Sequence, residues 1–182
     1  MSRPSKPDTG KQHGNVIDAS AAELRTLHDE VLRRWKLRRD VAWKEAAERF
    51  HASYDHLAFP GGLTRALSLL PKNDPTTIET AVRFLEADPW FFRSGYIKAD
   101  LILHLRRAPL SEDQRTRLQS VILARIQGEH RREFRWYCRM ARVVSSPSFE
   151  RAVAELAESS AEFISRHARW VLAQLKQDRK TN

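Results

Sequence analysis

The chain has 182 residues, of which 41% are hydrophobic and 30% charged, with 32 Lys and Arg against 23 Asp and Glu. This apolar content is too high for a wholly disordered chain, and the length suffices for one compact domain with its own core. No apolar run approaches the ~20 residues of a membrane span, and the single cysteine, Cys138, excludes an intramolecular disulfide and a multi-cysteine zinc site. We therefore expect a cytoplasmic protein without a membrane span.

The N-terminal third is predicted to consist of a leader and a long helix. Residues 1–19 hold prolines, glycines and few apolar side chains, which predicts a disordered leader. A Ser-Ala-Ala-Glu capping box begins at Ser20, and helical apolar spacing continues without Gly or Pro over 20–59. We predict a long N-terminal helix there, kinked or broken near Asp40. A Pro-Gly-Gly stop follows it, and a short helix is expected at 63–70.

Paired helices are predicted over 74–178. Most of their starts carry a side chain that can cap a helix, several of them directly before a proline. The predicted helices begin after Asp74, Asp88, Ser111, Gly128 and Ser146, and a last one covers 160–177. Since no segment alternates with a period of two, we expect no sheet. The sequence thus predicts an all-α fold of about seven to eight helices in a single domain over 20–178, followed by a tail at 179–182.

Three helix pairs begin near Pro75, Pro109 and Pro147, which are 34 and 38 residues apart. In period and layout the stretch 74–178 resembles the HEAT and armadillo class of α-solenoids, and the largely apolar helix at 93–107 looks like an inner HEAT helix. The resemblance implies a HEAT-like α-solenoid built from stacked pairs. Because the apolar positions of the pairs do not share one register, an irregular helical bundle remains open as the alternative.

Positive charge is concentrated in the middle of the chain. Residues 93–142 hold 12 basic and 5 acidic side chains, which gives +7 of the formal +9. On a helical wheel, the predicted helix at 129–144 places five arginines in one arc beside its apolar face. Within this helix, only Glu133 offsets their charge. Like charges on one face repel, so the pattern favours a bound polyanion. The predicted binding residues are Arg131, Arg132, Arg135, Trp136, Arg139 and Arg142.

Trp136 lies just beyond the arginine arc, where it either stacks on an unpaired base or packs under a neighbouring helix. A secondary basic cluster surrounds Trp35, but acidic residues flank it and weaken its signal. The members of this cluster are Arg33, Arg34, Lys36, Arg38 and Arg39.

Nucleic acid, DNA or RNA, is the predicted partner, held by its phosphate backbone within a nucleoprotein assembly. The alternative function is a protein-interaction adaptor or inhibitor that docks an acidic protein surface through the same arginines. A basic helix with Trp and Leu is also compatible with an anionic lipid surface. A further possibility is that the arc is neutralised internally by acidic residues of adjacent helices, namely Glu112, Asp113, Glu150, Glu155 and Glu158.

Metal and acid–base patterns are weak. Glu48, His51 and Asp55 share one helix face, but a di-metal bundle site needs a second Glu-x-x-His pair, and the sequence has none. Asp100 and His104 lie one turn apart, a spacing that suits a proton-transfer pair and, more commonly, a salt-bridge network. We therefore expect no metal and no cofactor.

Nucleophilic and lesion-processing chemistry have equally little support. Cys138 falls on the core-facing side of the wheel, where a cysteine is typically a small apolar side chain. HEAT-like DNA glycosylases combine a basic concave surface with aromatic residues and a carboxylate, and the segment 88–93 supplies such residue types without an alignable motif. We therefore expect a binding protein without a catalytic centre.

Overall fold

The computed structural model describes residues 9–37 and 40–177, which are helices and connecting turns with no strand among them. The all-α prediction is confirmed. The contacts divide the chain into two compact units, 1–68 with 87–94 and 69–86 with 95–182. The helices are α1 (Thr9–Arg33), α2 (Val41–Ala58), α3 (Leu63–Leu69), α4 (Pro75–Ala87), α5 (Ser94–Leu105), α6 (Glu112–Gln127), α7 (Phe134–Val143), α8 (Pro147–Ala157) and α9 (Glu162–Gln177), with 3-10 turns at Trp35–Leu37 and Leu70–Lys72.

The first unit is built on α1 packed along α2. Residues 9–19 belong to α1 rather than to the predicted leader, and residues 1–8 lie outside the described part of the chain. The helix continues through Ser20 because Ile17, Ala21 and Leu24 form one buried stripe that starts before the capping-box sequence. The predicted break is confirmed, since α2 begins at Val41, directly after the position expected from the sequence.

Asp55 fixes the start of α3. The sequence placed this residue on one helix face with Glu48 and His51, and its role here is structural. Its carboxylate accepts hydrogen bonds from the backbone N–H and the hydroxyl of Thr64, at 2.8 and 2.6 Å. These bonds hold the pKa of Asp55 below its usual value. Gly62 has φ +91°, and a Cβ there would lie 2.9 Å from Asp55 Oδ2, so this turn requires glycine.

Helix α5 begins at Ser94 rather than directly after Pro89 as predicted. The intervening turn contains two residues with left-handed backbone, Asp88 at φ +46° and Arg93 at φ +68°, which a continuous helix cannot include. Phe92 of this turn stacks on His28 of α1 with ring centroids 4.5 Å apart. The turn is therefore held by packing in the first unit, and tertiary contact overrides the start signal.

In the second unit, α6 and α9 each contact α7 and α8 and also contact each other. Helix α6 contacts α8, and ion pairs join Arg117 of α6 to Glu79 and Glu86 of α4. Helix α7 contacts α9, and a buried ion pair joins Glu133, at the start of α7, to Lys98 of α5. The site described below is formed by α7 and α9 together with the end of α5.

The helix starts in this unit follow the predicted caps. Asp74 accepts from the N–H of Thr77 at 2.8 Å, Ser111 forms a capping box with Gln114, and Ser146 accepts from the N–H of Phe149 at 3.2 Å. Gly128 ends α6 as predicted. Within the described ranges, no helix has the combination of length and apolar content that crossing a bilayer requires.

Candidate functional site

The arginine-rich segment is only partly helical. Helix α7 begins at Phe134 instead of near 129, so Arg131 and Arg132 lie in the turn before it. This turn follows Gly128, which ends α6, and it buries the Glu133 side chain, which is only 3% exposed. The five arginines therefore do not share one helix face as predicted.

The apolar side of α7 was predicted more accurately than its start. The buried residues of this side are Phe134, Tyr137, Cys138, Ala141 and Val144. His130 is exposed in the turn that precedes α7, so it does not belong to this side. Burial raises the pKa of the Cys138 thiol to about 12, so it stays protonated at neutral pH, as expected of an apolar side chain and not of a nucleophile.

The remaining arginines differ in position. Arg132, Arg135 and Arg139 are exposed and line one cleft, whereas Arg142 and Trp136 are half-buried. Arg131 instead lines a small separate cavity with acidic neighbours, including Glu129 and Glu133. The structure therefore brings Arg132, Arg135 and Arg139 together and separates Arg131 from them.

Aromatic rings hold these guanidinium groups without cancelling their charge. The Arg132 guanidinium lies 3.8 Å from the centroid of the Tyr96 ring, and that of Arg139 lies 4.8 Å from the Trp136 ring. Arg135 approaches the same Trp136 ring at 5.5 Å. A ring face attracts the cation but leaves its N–H donors available in the guanidinium plane, where an oxyanion can be bound in a bidentate manner.

Two carboxylates of the described residues, Asp113 and Glu133, pair with cations outside the arginine-rich segment. Asp113, a predicted neutraliser of the arc, pairs with Arg117 at 3.2 Å. Glu133 faces the fully buried Lys98 at 3.9 Å and so does not reach the exposed side of α7. Across residues 9–37 and 40–177, no ion pair within 4.0 Å forms on the guanidinium groups of Arg132, Arg135 and Arg139.

The C-terminal end of α5 adds to this positive surface. Burial and then repulsion by Arg139, Arg142 and Arg107 lower the pKa of Arg106 from its usual value. The Arg106 Nε atom is buried, and no hydrogen-bond partner for it lies among the described residues. We call the set Arg106, Arg107, Arg132, Arg135, Arg139 and Arg142, together with Trp136, the arginine face.

Arg106 and Arg107 belong to the positive block 93–142 but were not predicted as residues of the site. Their proximity to α7 depends on a tertiary arrangement that brings the end of α5 near Arg139 and Arg142, which the chain order alone does not give. The available signal was the accumulation of basic residues at the end of the helix before Pro109.

A cleft of about 410 Å³ opens between α7 and α9 beside the arginine face. It is lined by His130, Arg132, Phe134, Arg135, Cys138, Arg139, Trp170, Ala173 and Gln174. Trp170, on α9, was not predicted as a site residue. The cleft therefore combines three guanidinium groups with aromatic walls, one of which comes from a helix outside the predicted segment.

The aromatic wall is a cluster of four rings. Trp170 lies 5.5 Å from both His130 and His167, and 6.2 Å from Phe134, measured between ring centroids. His167 is fully buried, with Nδ1 3.1 Å from the carbonyl oxygen of Ile126. Burial lowers the pKa of His167, so it is neutral at pH 7 and adds no charge to the wall.

The secondary basic cluster belongs to the first unit and is partly neutralised. Arg34 and Arg49 both pair with Glu30, and these bonds lower the pKa of Glu30. The Nε of Arg33 donates to the carbonyl oxygen of Asp29. Lys36 is exposed beside it, and the cluster's other members, Arg38 and Arg39, lie outside the described residues. Its described part is therefore a weaker anion site than the arginine face.

The other chemical patterns are not assembled into a site in the described residues. No group of three or more His, Cys, Asp or Glu side chains there is placed to hold a metal ion. Glu48 and His51 are exposed on α2. Asp100 is exposed on α5, and no hydrogen bond joins its side chain to that of His104 in this part of the chain.

The arginine face and the cleft are thus the features of this fold with the clearest ligand chemistry. Comparison of the chain with protein-family models, with curated proteins and with solved structures finds no match.

Proposed function

We propose that this protein is a non-enzymatic binding module whose arginine face holds a polyanion, the phosphate backbone of a nucleic acid within a cytoplasmic nucleoprotein assembly. The observation that carries this proposal is the exposure of Arg132, Arg135 and Arg139 without a carboxylate partner in the described residues. Three exposed guanidinium groups without an ion pair in the described residues make a surface that a polyphosphate would stabilise.

The free protein bears an electrostatic cost at this surface. Arg106 has a lowered pKa in part because Arg107, Arg139 and Arg142 repel it. A phosphate placed among these groups removes that repulsion and accepts charge-assisted hydrogen bonds from two guanidinium nitrogens at once. Binding of this kind releases condensed counterions and therefore weakens as the salt concentration rises.

A HEAT-like α-solenoid over 74–178 remains part of the proposal. Helices α4, α6 and α8 begin at Pro75, Glu112 and Pro147, a period close to that of HEAT repeats. Successive first helices contact each other, as α6 and α8 do, and so do successive second helices, as α7 and α9 do. In such an array the row α5, α7, α9 would present the arginine face along one side of the stack.

The proposal is tested by replacing Arg135 and Arg139 together with glutamate. Fluorescence anisotropy with labelled DNA and RNA of about 20 nucleotides, at about 50 to 200 mM salt, measures the affinity and its salt slope. We expect the double variant to lose at least about tenfold in affinity and to show a slope reduced by about two phosphate contacts.

The matched control is Arg65→Glu with Arg151→Glu, which changes the net charge equally at two exposed arginines of α3 and α8. This control should retain affinity within about threefold, because only nonspecific attraction is reduced. If wild-type protein binds no nucleic acid at low salt, or if both double variants weaken equally, the proposal is wrong. Equal binding of poly-glutamate would favour an acidic protein as the partner.

A further inference from the structure

We infer that the cleft between α7 and α9 receives an unpaired nucleobase, so that the polyanion is a single-stranded nucleic acid; this inference rests on the proposed function. The cleft has the two components that a nucleotide requires. Trp170 supplies an exposed ring surface for a base, and the three arginines of the cleft supply donors for the adjoining phosphates.

The size of the cleft suits a small polar–aromatic ligand. Its volume of about 410 Å³ lies within the ~300–1,000 Å³ typical of small-molecule sites. The enclosed part is apolar at Phe134 and Cys138, both buried, while Arg132, Arg135 and Arg139 are exposed at the rim. A base would enter the apolar part while its phosphate stays among the arginines.

Trp170 is better placed than Trp136 to stack on that base. The Trp136 ring has two guanidinium groups over it, those of Arg135 and Arg139 at 5.5 and 4.8 Å, whereas the Trp170 ring has one, that of Arg166 at 5.9 Å. The Trp170 side chain is 43% exposed, and the rings of His130, Phe134 and His167 fix its position. An exposed ring held by packing loses little freedom when a base stacks on it.

Trp170 also borders a second cleft of about 450 Å³. That cleft is lined by Ser159, Ser160, Glu162, Ser165, Arg166, Arg169 and Trp170. Arg166 lies 5.9 Å from the Trp170 ring, so basic side chains stand on both sides of this tryptophan. Two arginines against one glutamate keep the second cleft positive.

This arrangement matches a single nucleic acid strand that crosses α9, with one phosphate in each cleft and a base stacked on Trp170 between them. In a duplex the base faces are covered by neighbouring pairs, and a side chain reaches only base edges in the grooves. A single strand exposes the faces themselves, and aromatic platforms between basic groups are the usual means of holding it. The geometry therefore points to single-stranded DNA or RNA rather than duplex.

The test compares three ligands of about 20 nucleotides on the wild-type protein by anisotropy, supported by quenching of tryptophan fluorescence. The ligands are a single strand, the same strand with abasic sites, and the duplex. Abasic sites keep every phosphate and remove the bases, so they isolate stacking from charge. We expect the intact single strand to bind about tenfold more tightly than either of the others.

Trp170→Ala should reduce affinity for the intact strand by about tenfold and leave affinity for the abasic strand nearly unchanged, while Trp170→Phe should retain most of the binding. The matched control is Trp90→Ala, which removes a tryptophan that is 57% exposed in the first unit and should change neither affinity. The abasic comparison uses wild-type protein and so does not depend on how well Trp170→Ala folds.

Equal affinity for all three ligands, each lost in the Arg135→Glu and Arg139→Glu double variant, would overturn the base-stacking inference while leaving the proposed function intact. Absence of binding to any of the three would overturn both.

Discussion

Helices α6 and α7 carry arginines with opposite surroundings. On α6, Arg117 donates to Glu79 at 2.9 and 3.1 Å, to Glu86 at 2.8 and 2.6 Å, and to Asp113 at 3.2 Å. These bonds raise the pKa of Arg117 further above its usual value. On α7, Arg135 and Arg139 have ring contacts and no ion pair in the described residues. One helix uses arginine to hold the fold together, and the other leaves it available to a ligand.

The difference between these helices comes from carboxylates that are distant in sequence. Glu79 and Glu86 lie 38 and 31 residues before Arg117 and reach it because α4 packs against α6. Glu133 is adjacent to α7 in the chain, yet it faces Lys98. Proximity in sequence therefore does not tell which guanidinium groups are compensated, and a local net charge counts both kinds alike.

The largest effect is expected at Glu133, whose position decides whether the face on α7 lacks a carboxylate. Glu133→Gln keeps the size of the side chain but removes the negative charge paired with the fully buried Lys98. Breaking a buried pair by neutralising one member is strongly destabilising, and we expect a loss of about 3 kcal/mol in the free energy of unfolding, measured by urea denaturation.

Glu129→Gln is the matched control, since Glu129 is exposed in the same turn and should cost less than about 0.5 kcal/mol. Should Glu133→Gln be as mild as this control, Glu133 would belong to the surface, and the contrast between α6 and α7 would be lost.

The second effect concerns Glu79, which binds three donors of the α6 network. Burial alone would raise the pKa of Glu79, but hydrogen bonds from Arg83, Gln114 and Arg117 outweigh it and lower the pKa to about 2. The stabilisation is therefore complete above the unfolded pKa of about 4.5 and is lost as the pH falls towards 2. We expect Glu79→Gln to cost about 1–3 kcal/mol at pH 7 and to flatten the pH dependence of stability between about pH 5 and 2.

Urea denaturation at several pH values measures this, with Glu155→Gln on α8, an exposed carboxylate, as control. If Glu79→Gln leaves the pH dependence unchanged, the α6 network contributes no stability. Arg117 would then stabilise the fold no more than Arg135 and Arg139 do.

Local signals predicted much of the fold. The starts of α4, α6 and α8 follow Asp74, Ser111 and Ser146, because a capping side chain acts on N–H groups two or three residues away and needs no tertiary partner. The starts of α5 and α7 were placed too early. The stacking of Phe92 on His28 and the burial of Glu133 against Lys98 determine those boundaries, and neither contact is visible along the chain.

The candidate site was predicted in part for the same reason. Arg132, Arg135 and Arg139 lie together because they are close in sequence around one turn and one helix start. Trp170 joins them only through the packing of α9 on α7, and Arg106 only because the end of α5 lies close to Arg139 and Arg142. For Trp170 the only signal in the sequence was Arg166, four residues earlier, and this spacing is too common to indicate a site.

The smallest effect is expected from replacing an arginine of α7 with glutamine. It gives the sharpest contrast, because the change in the free energy of unfolding should have opposite signs on α7 and α6. Arg135 is the second residue of α7, where a positive charge opposes the helix dipole and adds to the repulsion within the arginine face. We expect Arg135→Gln to raise the free energy of unfolding by about 0.5 kcal/mol, or about 1–2 °C in Tm, with the gain shrinking at high salt. Arg117→Gln should instead destabilise by about 1–3 kcal/mol, since it leaves Glu79 and Glu86 without their shared donor.

Thermal denaturation at about 20 and 500 mM salt measures both substitutions, with Arg151→Gln on the exposed side of α8 as the neutral control. A stabilising Arg135→Gln that also weakens nucleic acid binding would mean that this charge is kept at a cost to the free protein, as expected of a residue selected for a ligand. A loss of about 1 kcal/mol would mean that a carboxylate compensates Arg135 in solution, and the two helices would then use arginine in the same way.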